Sequence, residues 1–365
     1  MLIHAAAFVP PHCPRSDCRF HRSSDGWRWK RHGSFTRDGS PHRIRRFRCG
    51  HCGRTFSSQT FSTTYWLKRP DVLERTAHQL LACSGFRQIA RKPRCSPSTV
   101  RRHAARLGRH ALLWLELHRP RGPIAEPLVV DGFEGFAFSQ YHPLYLNLVV
   151  GAVSHYAYAF TLTELRRKGR MTAEQKRRRA ELERDFGRPD PRGIERGTRA
   201  ALRLAAPEPQ ALVVRSDEHT DYPPALRGLA QHAIRHERTS SLAARTAGNP
   251  LFPVNRLDLL LRHNSANHKR ETIAFSKRFQ SVVERAAWLL AWLNWTKPFS
   301  ERRGGGTPAM RLGLSERPIP IEEILRWRLF PSRIELPQPE DEYYWGRLRT
   351  RRFAREQGHD LKLAC

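Results

Sequence analysis

The fold class expected of this chain is α/β: a mixed sheet with helices, preceded by a small metal-knit ribbon and an all-helical segment. Three observations predict it. Two cysteine pairs stand within the first 52 residues, and three helix-like stretches follow them. Beyond residue 128, short apolar runs closed by turn residues alternate with amphipathic stretches.

The pairs are Cys13 and Cys18 in CPRSDC, and Cys49 and Cys52 in CGHC. A thiolate pair two to four residues apart lets one turn present both sulfurs to a tetrahedral zinc ion, and two pairs fill its four positions. The implied Zn²⁺ is structural, because no position is left for water. Gly50 and Gly53 permit the second turn, while Phe47 and Phe56 are placed to cover it. Residues 19–48 separate the pairs, a long span for a ribbon, and His12 and His51 are further candidate ligands. Within that span RIRRFR (43–48) interleaves basic and apolar residues, as a strand laid on phosphates does. Residues 1–66 are therefore expected to form a DNA-binding zinc ribbon.

Residues 67–118 read as a helix-turn-helix. After Arg69-Pro70, the residues Val72, Leu73, Ala77, Leu80 and Leu81 recur at helical spacing, and Gly85 can end that helix. A short helix over 86–91 follows. Ser96 as N-cap and Pro97 at the first helical position open a third. Its early turns are expected to hold Arg101, Arg102, His103 and Arg106 toward a DNA major groove, with Val100, Ala104 and Leu107 packed inward.

Charge points the same way. The chain carries 65 Lys+Arg against 34 Asp+Glu, a formal +31. Residues 1–127 hold 25 of the basic and 7 of the acidic side chains, so +18 of the excess sits in the first third. Such a field repels itself unless a polyanion neutralises it, and nucleic acid is the expected partner. A membrane span is not expected: the longest apolar run, AAWLLAWL at 286–293, has eight residues. The amino terminus lacks a signal-peptide pattern, so a cytoplasmic location is expected, where the seven cysteines serve as metal ligands or free thiols.

Pro120, Gly122, Pro123 and Pro127 mark a linker, and a catalytic domain is expected over 128–315. Its first strand, LVVDGFE (128–134), is read as ending in an acid, Asp131. Strands over 145–153 and 156–163 follow. A charged, helix-forming excursion at about 164–206 reads as an insertion outside the sheet. ALVVRSD (211–217) is the fourth strand and ends at Asp217; a helix over 223–233 and a strand over 233–238 come next. Three strands, an excursion, then strand, helix, strand, helix is the order of a ribonuclease H-like mixed sheet, in which the first and fourth strands lie side by side. Carboxylates at that place can share divalent metals about 3.5–4 Å apart. Hard oxygen ligands suit Mg²⁺ or Mn²⁺. A third ligand is expected on a helix from Phe252, where Asn255, Asp258 and Arg262 share one face at i, i+3 and i+7. Asn255 offers a neutral oxygen and Asp258 a charge one turn later. Asp221, Glu134 and Glu271 are weaker candidates.

The segments CGHCGRTFS (49–57), VVDGFEGF (129–136), SDEHTDY (216–222), NRLDLLLRHNSANHKRETIAFSKR (255–278) and TPAMRLG (307–313) together resemble the transposases of bacterial insertion sequences of the IS-one type. The resemblance runs to about residue 315. It implies a zinc ribbon, a helix-turn-helix and a ribonuclease H-like domain with an Asp, Asp, Glu (sometimes Asn) triad. By that resemblance Asp131 is the first acid. Asp217 is the second, because Tyr222 stands five residues on, and Asn255 takes the third position with Asp258 as its alternative. Arg262 then matches a basic residue that contacts DNA phosphate. The implied activity is binding of an element's terminal inverted repeats, with Mg²⁺- or Mn²⁺-dependent hydrolysis and strand transfer into target DNA. The implied state is a homo-oligomer on double-stranded DNA, associated with the bacterial nucleoid.

The residues leave two other readings open. One is a catalytically inert or domesticated DNA-binding regulator, which Asn255 favours. The other is a metal-dependent nuclease that cuts without joining. Residues 316–365 are expected to form a C-terminal extension, with PQPEDEYYWGRLRTRRFAREQG (337–358) acidic, then basic, and either solvated or touching DNA.

Overall fold

In the computed structural model, which describes residues 8–39, 41–269, 271–302 and 304–351, the amino-terminal segment is a three-stranded antiparallel sheet. Its strands are β1 (Trp29–Thr36), β2 (Arg43–Cys49) and β3 (Thr55–Ser57). β2 is the RIRRFR strand: Ile44 and Phe47 are buried, Arg43 and Arg48 exposed. The core beneath it is aromatic, built from Phe8, Phe20, Phe47, Phe56 and Phe61, with Phe330 entering from the far end of the chain.

Helices α1 (Asp71–Leu81), α2 (Phe86–Arg91) and α3 (Pro97–Leu117) start where the turn chemistry places them. The Ser96 hydroxyl accepts the Ser98 amide at 3.2 Å, and Pro97 opens the first turn of α3. Val100, Ala104 and Leu107 pack inward as expected. His103 and Arg106 do not face outward. They are 2% and 5% exposed, and the Arg106 guanidinium donates to the carbonyls of Thr63 and Tyr65 at 2.7 Å each. The reason is that α3 is buried along most of its length against α8 (Phe279–Trp295), which turns more than one of its faces inward. At Gly108 the two helices approach so closely that an added Cβ would stand 2.5 Å from the Glu284 backbone. Arg102 is exposed and Arg101 partly so, and the apolar side chains of α1 to α3 belong to the same core as the central sheet.

That sheet is mixed and five-stranded. Its strands are β4 (Leu128–Phe136), β5 (Pro143–Gly151), β6 (Ala157–Glu164), β7 (Ala211–Ser216) and β8 (Ala233–Arg238), in the order β6-β5-β4-β7-β8. β4, β5 and β6 form an antiparallel meander, while β7 runs parallel to β4 and β8 parallel to β7. β4 does not end at Asp131: it pairs with β5 as far as Phe136, so Asp131 is mid-strand, opposite Leu148. Only half of the 164–206 excursion lies outside the sheet. α4 (Ala173–Phe186) buries Leu182 alone, whereas α5 (Gly193–Ala205) covers β5 and β6 with Ile194, Ala201, Leu202, Leu204 and Ala205. Thr161 and Thr163 donate to the α5 carbonyls of Gly197 and Gly193 at 2.9 and 3.1 Å. α6 (Tyr222–Arg227), α7 (Phe252–Asn264), α8 and α9 (Pro308–Arg311) complete this part of the chain.

The described part of the C-terminal stretch is not a solvated extension. With α10 (Ile321–Ile324) and α11 (Glu340–Tyr344) it runs back over the molecule as a strap. The Leu325 carbonyl accepts from Thr63, the Arg328 amide donates to Phe61, and His110 donates to the Ile324 carbonyl. Glu340, 2% exposed, takes both of its oxygens to Arg119 at 2.8 and 2.7 Å, and Glu116 holds the other side of that guanidinium at 2.7 Å. Residues 352–365 of the basic half lie outside the described residues.

Removing one member of a buried ion pair leaves the other uncompensated. Glu340→Ala is therefore expected to destabilise the chain by roughly 3 kcal/mol in urea unfolding. A change below a few tenths would show the strap to be ornamental.

Candidate functional site

β4 and β7 share backbone bonds only up to the pair Val129–Arg215. Two residues further along each strand stand Asp131 and Asp217, still in the same register, with Asp217 the first residue beyond β7. The strands part there, so a gap opens where the two carboxylates meet. Asp217 Oδ1 accepts the His219 amide at 2.9 Å, which folds the DEHT turn back onto its own acid. Asp131 Oδ1 accepts from the Gly132 amide at 2.7 Å and the Tyr222 hydroxyl at 3.3 Å. Tyr222 is held in turn by Tyr145, with 2.8 Å between the hydroxyl oxygens. A Cβ on residue 132 would stand 1.7 Å from the Tyr145 ring, so glycine is what admits this tyrosine pair.

The third acid comes from α7, which packs on β4 and β5. Burial pushes the Asp258 carboxyl up to about 7, and the charge of Asp131 adds to that, against Arg262 and Arg245. Burial likewise lifts Asp131 to about 6, opposed by the Gly132 amide and reinforced by the Asp217 charge. Asp258 Oδ1 is buried without a hydrogen-bond partner among the described residues. Asn255, one turn earlier and partly exposed, carries no charge and makes no comparable link. Of the two candidates on this helix, Asp258 is the one coupled to Asp131.

The remaining candidates divide. Arg262 donates to the carbonyls of Glu134 and His268 at 3.3 Å each, and its guanidinium lies 4.4 Å from the centre of the Phe133 ring. Glu134 and Glu271 are exposed, and Asp221 precedes α6 with its amide on His219 Nδ1. Arg245 escaped sequence reasoning. It sits on the exposed loop between β8 and α7, and its charge reaches both Asp131 and Asp258. Nothing in LAARTAGNP, neither periodicity nor motif, marks it.

The cysteine quartet comes together. The sulfurs of Cys13, Cys18, Cys49 and Cys52 lie within 4.8 Å of one another, the first three buried. Cys13 and Cys52 are 3.6 Å apart, close to the roughly 3.8 Å edge of a tetrahedron with Zn–S of about 2.3 Å. Burial raises the Cys49 thiol, but the amides of Cys52 and His51 and the Trp27 indole, 3.2 Å away, outweigh it and bring it down to about 6. His12 is spent elsewhere, its Nδ1 on the Cys13 carbonyl and its ring against Phe61 and Phe330. His51 stays at the rim, Nδ1 3.7 Å from Cys18 Sγ. Four soft sulfur donors in this arrangement fit a structural Zn²⁺. The one other such group among the described residues is Glu74, His78 and Glu322; at least one pair of the three aspartates stands wider than 4.8 Å.

No family model matches the chain, and no curated protein matches it. Among solved structures, a chain of the simian T-cell lymphotropic virus intasome in complex with PP2A regulatory subunit B56 gamma is similar at 14% identity. The match covers 68% of this chain and 75% of that one, with a TM-score of 0.26, a likeness too slight to carry any argument.

Two outcomes follow from the geometry. Both raised acids bind protons in the folded chain that the unfolded chain releases, so stability falls as pH rises from about 4 to about 7. Asp258→Asn is expected to exceed wild type by on the order of 2 kcal/mol at pH 8 and to match it near pH 4. Urea midpoints at the two pH values decide it, and an equal difference at both would refute the linkage. Elemental analysis is expected to find one zinc ion per chain, lost in Cys49→Ser together with the folded ribbon. A zinc-free wild type indifferent to chelators would refute the second.

Proposed function

We propose that this chain is a DNA transposase of an insertion sequence, which binds terminal inverted repeats and carries out metal-dependent phosphodiester hydrolysis and strand transfer. The observation that carries the reading is the meeting of Asp131 and Asp217 in one register where a parallel strand pair opens, with Asp258 coupled to the first. An antiparallel meander flanked on its first strand by two parallel strands supports a ribonuclease H-like sheet. The formal +31 supports a polyanionic substrate, and the short α2, the tight Lys92–Ser96 connection and the capped α3 support a helix-turn-helix.

Asp131, Asp217 and Asp258 are the residues that would hold Mg²⁺ or Mn²⁺, and the unpartnered Asp258 oxygen fits such a cation. When bound, the divalent ion supplies the positive charge that activates a water or 3′-hydroxyl and steadies the leaving oxygen. The protein does the rest. Burial and mutual repulsion leave the acids short of counter-charge, which favours a cation over protons above about pH 7. The Tyr145–Tyr222 pair fixes Asp131 through Oδ1 and leaves Oδ2 for a ligand. Arg245 is placed to meet the phosphate that approaches the acids.

The test is Mn²⁺-dependent nicking and joining of a labelled duplex carrying the element's own end. Asp131→Ala and Asp258→Ala are expected to lose roughly 1,000-fold, about 4 kcal/mol of transition-state stabilisation, and Asn255→Ala less than about tenfold. Nicking without a joined product would select the nuclease. Binding of the end with neither reaction would select the regulator.

A further inference from the structure

Two buried side chains keep polar atoms that no described residue satisfies. His268 is 6% exposed, and neither ring nitrogen has a hydrogen-bond partner. Arg285 on α8 is equally buried, and its Nε and Nη2 have none. They are neighbours: burial, then the charges of Arg285 and Arg262, hold the His268 imidazole neutral, down at about 3. Burial lowers Arg285 to about 10, with the Cys83 thiol as the opposing group and no carboxylate acting on it. The Phe86 ring, 5.2 Å away, is its other contact. A buried guanidinium without a counter-ion is costly, and an anion beside it removes that cost.

Space for an anion is at hand. His268 lines a cavity of 340 Å³ with Phe133, Glu134, Arg262, Asn267 and Lys269, and Val282, one turn before Arg285, lines it too. Asn267 is fully engaged, accepting from Ser265 at 3.0 Å and donating to Ser276 at 3.1 Å, so the buried loop that carries His268 is fixed. Lys269 is exposed at the mouth, and Glu134 is the single acid in the lining.

We infer that this cavity is a phosphate-binding subsite distinct from the aspartates, with His268 and Lys269 as its donors and Arg285 as the buried counter-charge. Guanidinium and ammonium donors with a neutral imidazole suit phosphate oxygens, and the volume accepts a phosphodiester with its sugar. The subsite stands on its own geometry. Assigning its phosphate to a nucleic-acid backbone rests on the function proposed above.

The experiment is equilibrium dialysis of the full chain against labelled inorganic phosphate at fixed ionic strength. His268→Phe, Arg285→Met, Lys269→Gln, Asp131→Ala and a control, Arg177→Gln on exposed α4, are run beside wild type. Phenylalanine keeps the packing on Phe133, and methionine replaces an uncompensated cation, so melting temperatures are expected to hold. Phosphate affinity is expected to fall at least tenfold in the first three and to persist in the last two. Equal affinity in wild type, His268→Phe and Arg285→Met overturns the subsite. A second arm measures duplex DNA binding against KCl concentration. A salt slope smaller by about one in Lys269→Gln supports a backbone phosphate, and an unchanged slope overturns that assignment in favour of free phosphate. Because Asp131→Ala keeps the subsite, loss of nicking with phosphate binding intact speaks to the aspartates alone.

Discussion

The parallel register between β4 and β7 is the constraint on which the site depends. It pairs Val129 with Arg215 and therefore puts Asp131 level with Asp217 once the ladder stops. Backbone geometry, not mutual attraction, brings the two acids together, since like charges repel. Each strand is held from its other side: β4 by β5 over its whole length, β7 by β8 over its whole length. The gap can open only because neither strand relies on the other beyond Arg215. Tyr222 and Tyr145 then span the opening, and the missing side chain at Gly132 gives the second ring its place.

Energetically the chain keeps unlike charges apart at two points where pairing them would be cheaper. Three carboxyl groups sit together, two of them raised by burial, in a protein with 65 basic side chains. Buried Arg285 stands with no acid acting on it, while Glu284, the preceding residue, has Arg109 and Arg101 as its cationic neighbours on α3. Elsewhere pairing is complete, as in Glu116–Arg119–Glu340. Folding selects satisfied pairs, so unsatisfied groups that persist in a packed interior mark places where something other than folding sets the residue.

Much of this was legible in the sequence, for physical reasons. Cysteine spacing reports a turn, and a turn is local; so the quartet could be read, as could Ser96, Pro97 and the alternation of strands and helices. The register of β4 on β7 was legible through the order of elements. What depends on tertiary contact was not. The outward reading of His103 and Arg106 failed because α8, some 180 residues later, buries α3 from a side its own pattern does not disclose. Placing α5 outside the sheet came from weighing the charge of 164–206 as one block; GIERGTRAALRLA taken alone has an apolar stripe. Asn255 and Asp258 share a face, and only the packing of α7 on β4 says which of them meets Asp131. Arg245 lies in a loop whose composition carries no signal at all.

The strap decides how these parts act together. A linker at 119–127 would leave the ribbon and helices free to swing relative to the sheet. Instead, Phe330 completes the ribbon core, Leu325 and Arg328 bond to the segment between ribbon and α1, and Ile324 bonds to α3. Glu340 then closes on Arg119 at the head of the linker, while Tyr343 donates to β6 at Leu162 and accepts from Gln280 on α8. One segment late in the chain therefore touches every element that could grip a nucleic acid and the sheet that carries the acids. The distance between grip and acids is set by packing rather than by linker length. A buried arginine pair seals it, because opening that pair would expose both charges to a core that cannot solvate them.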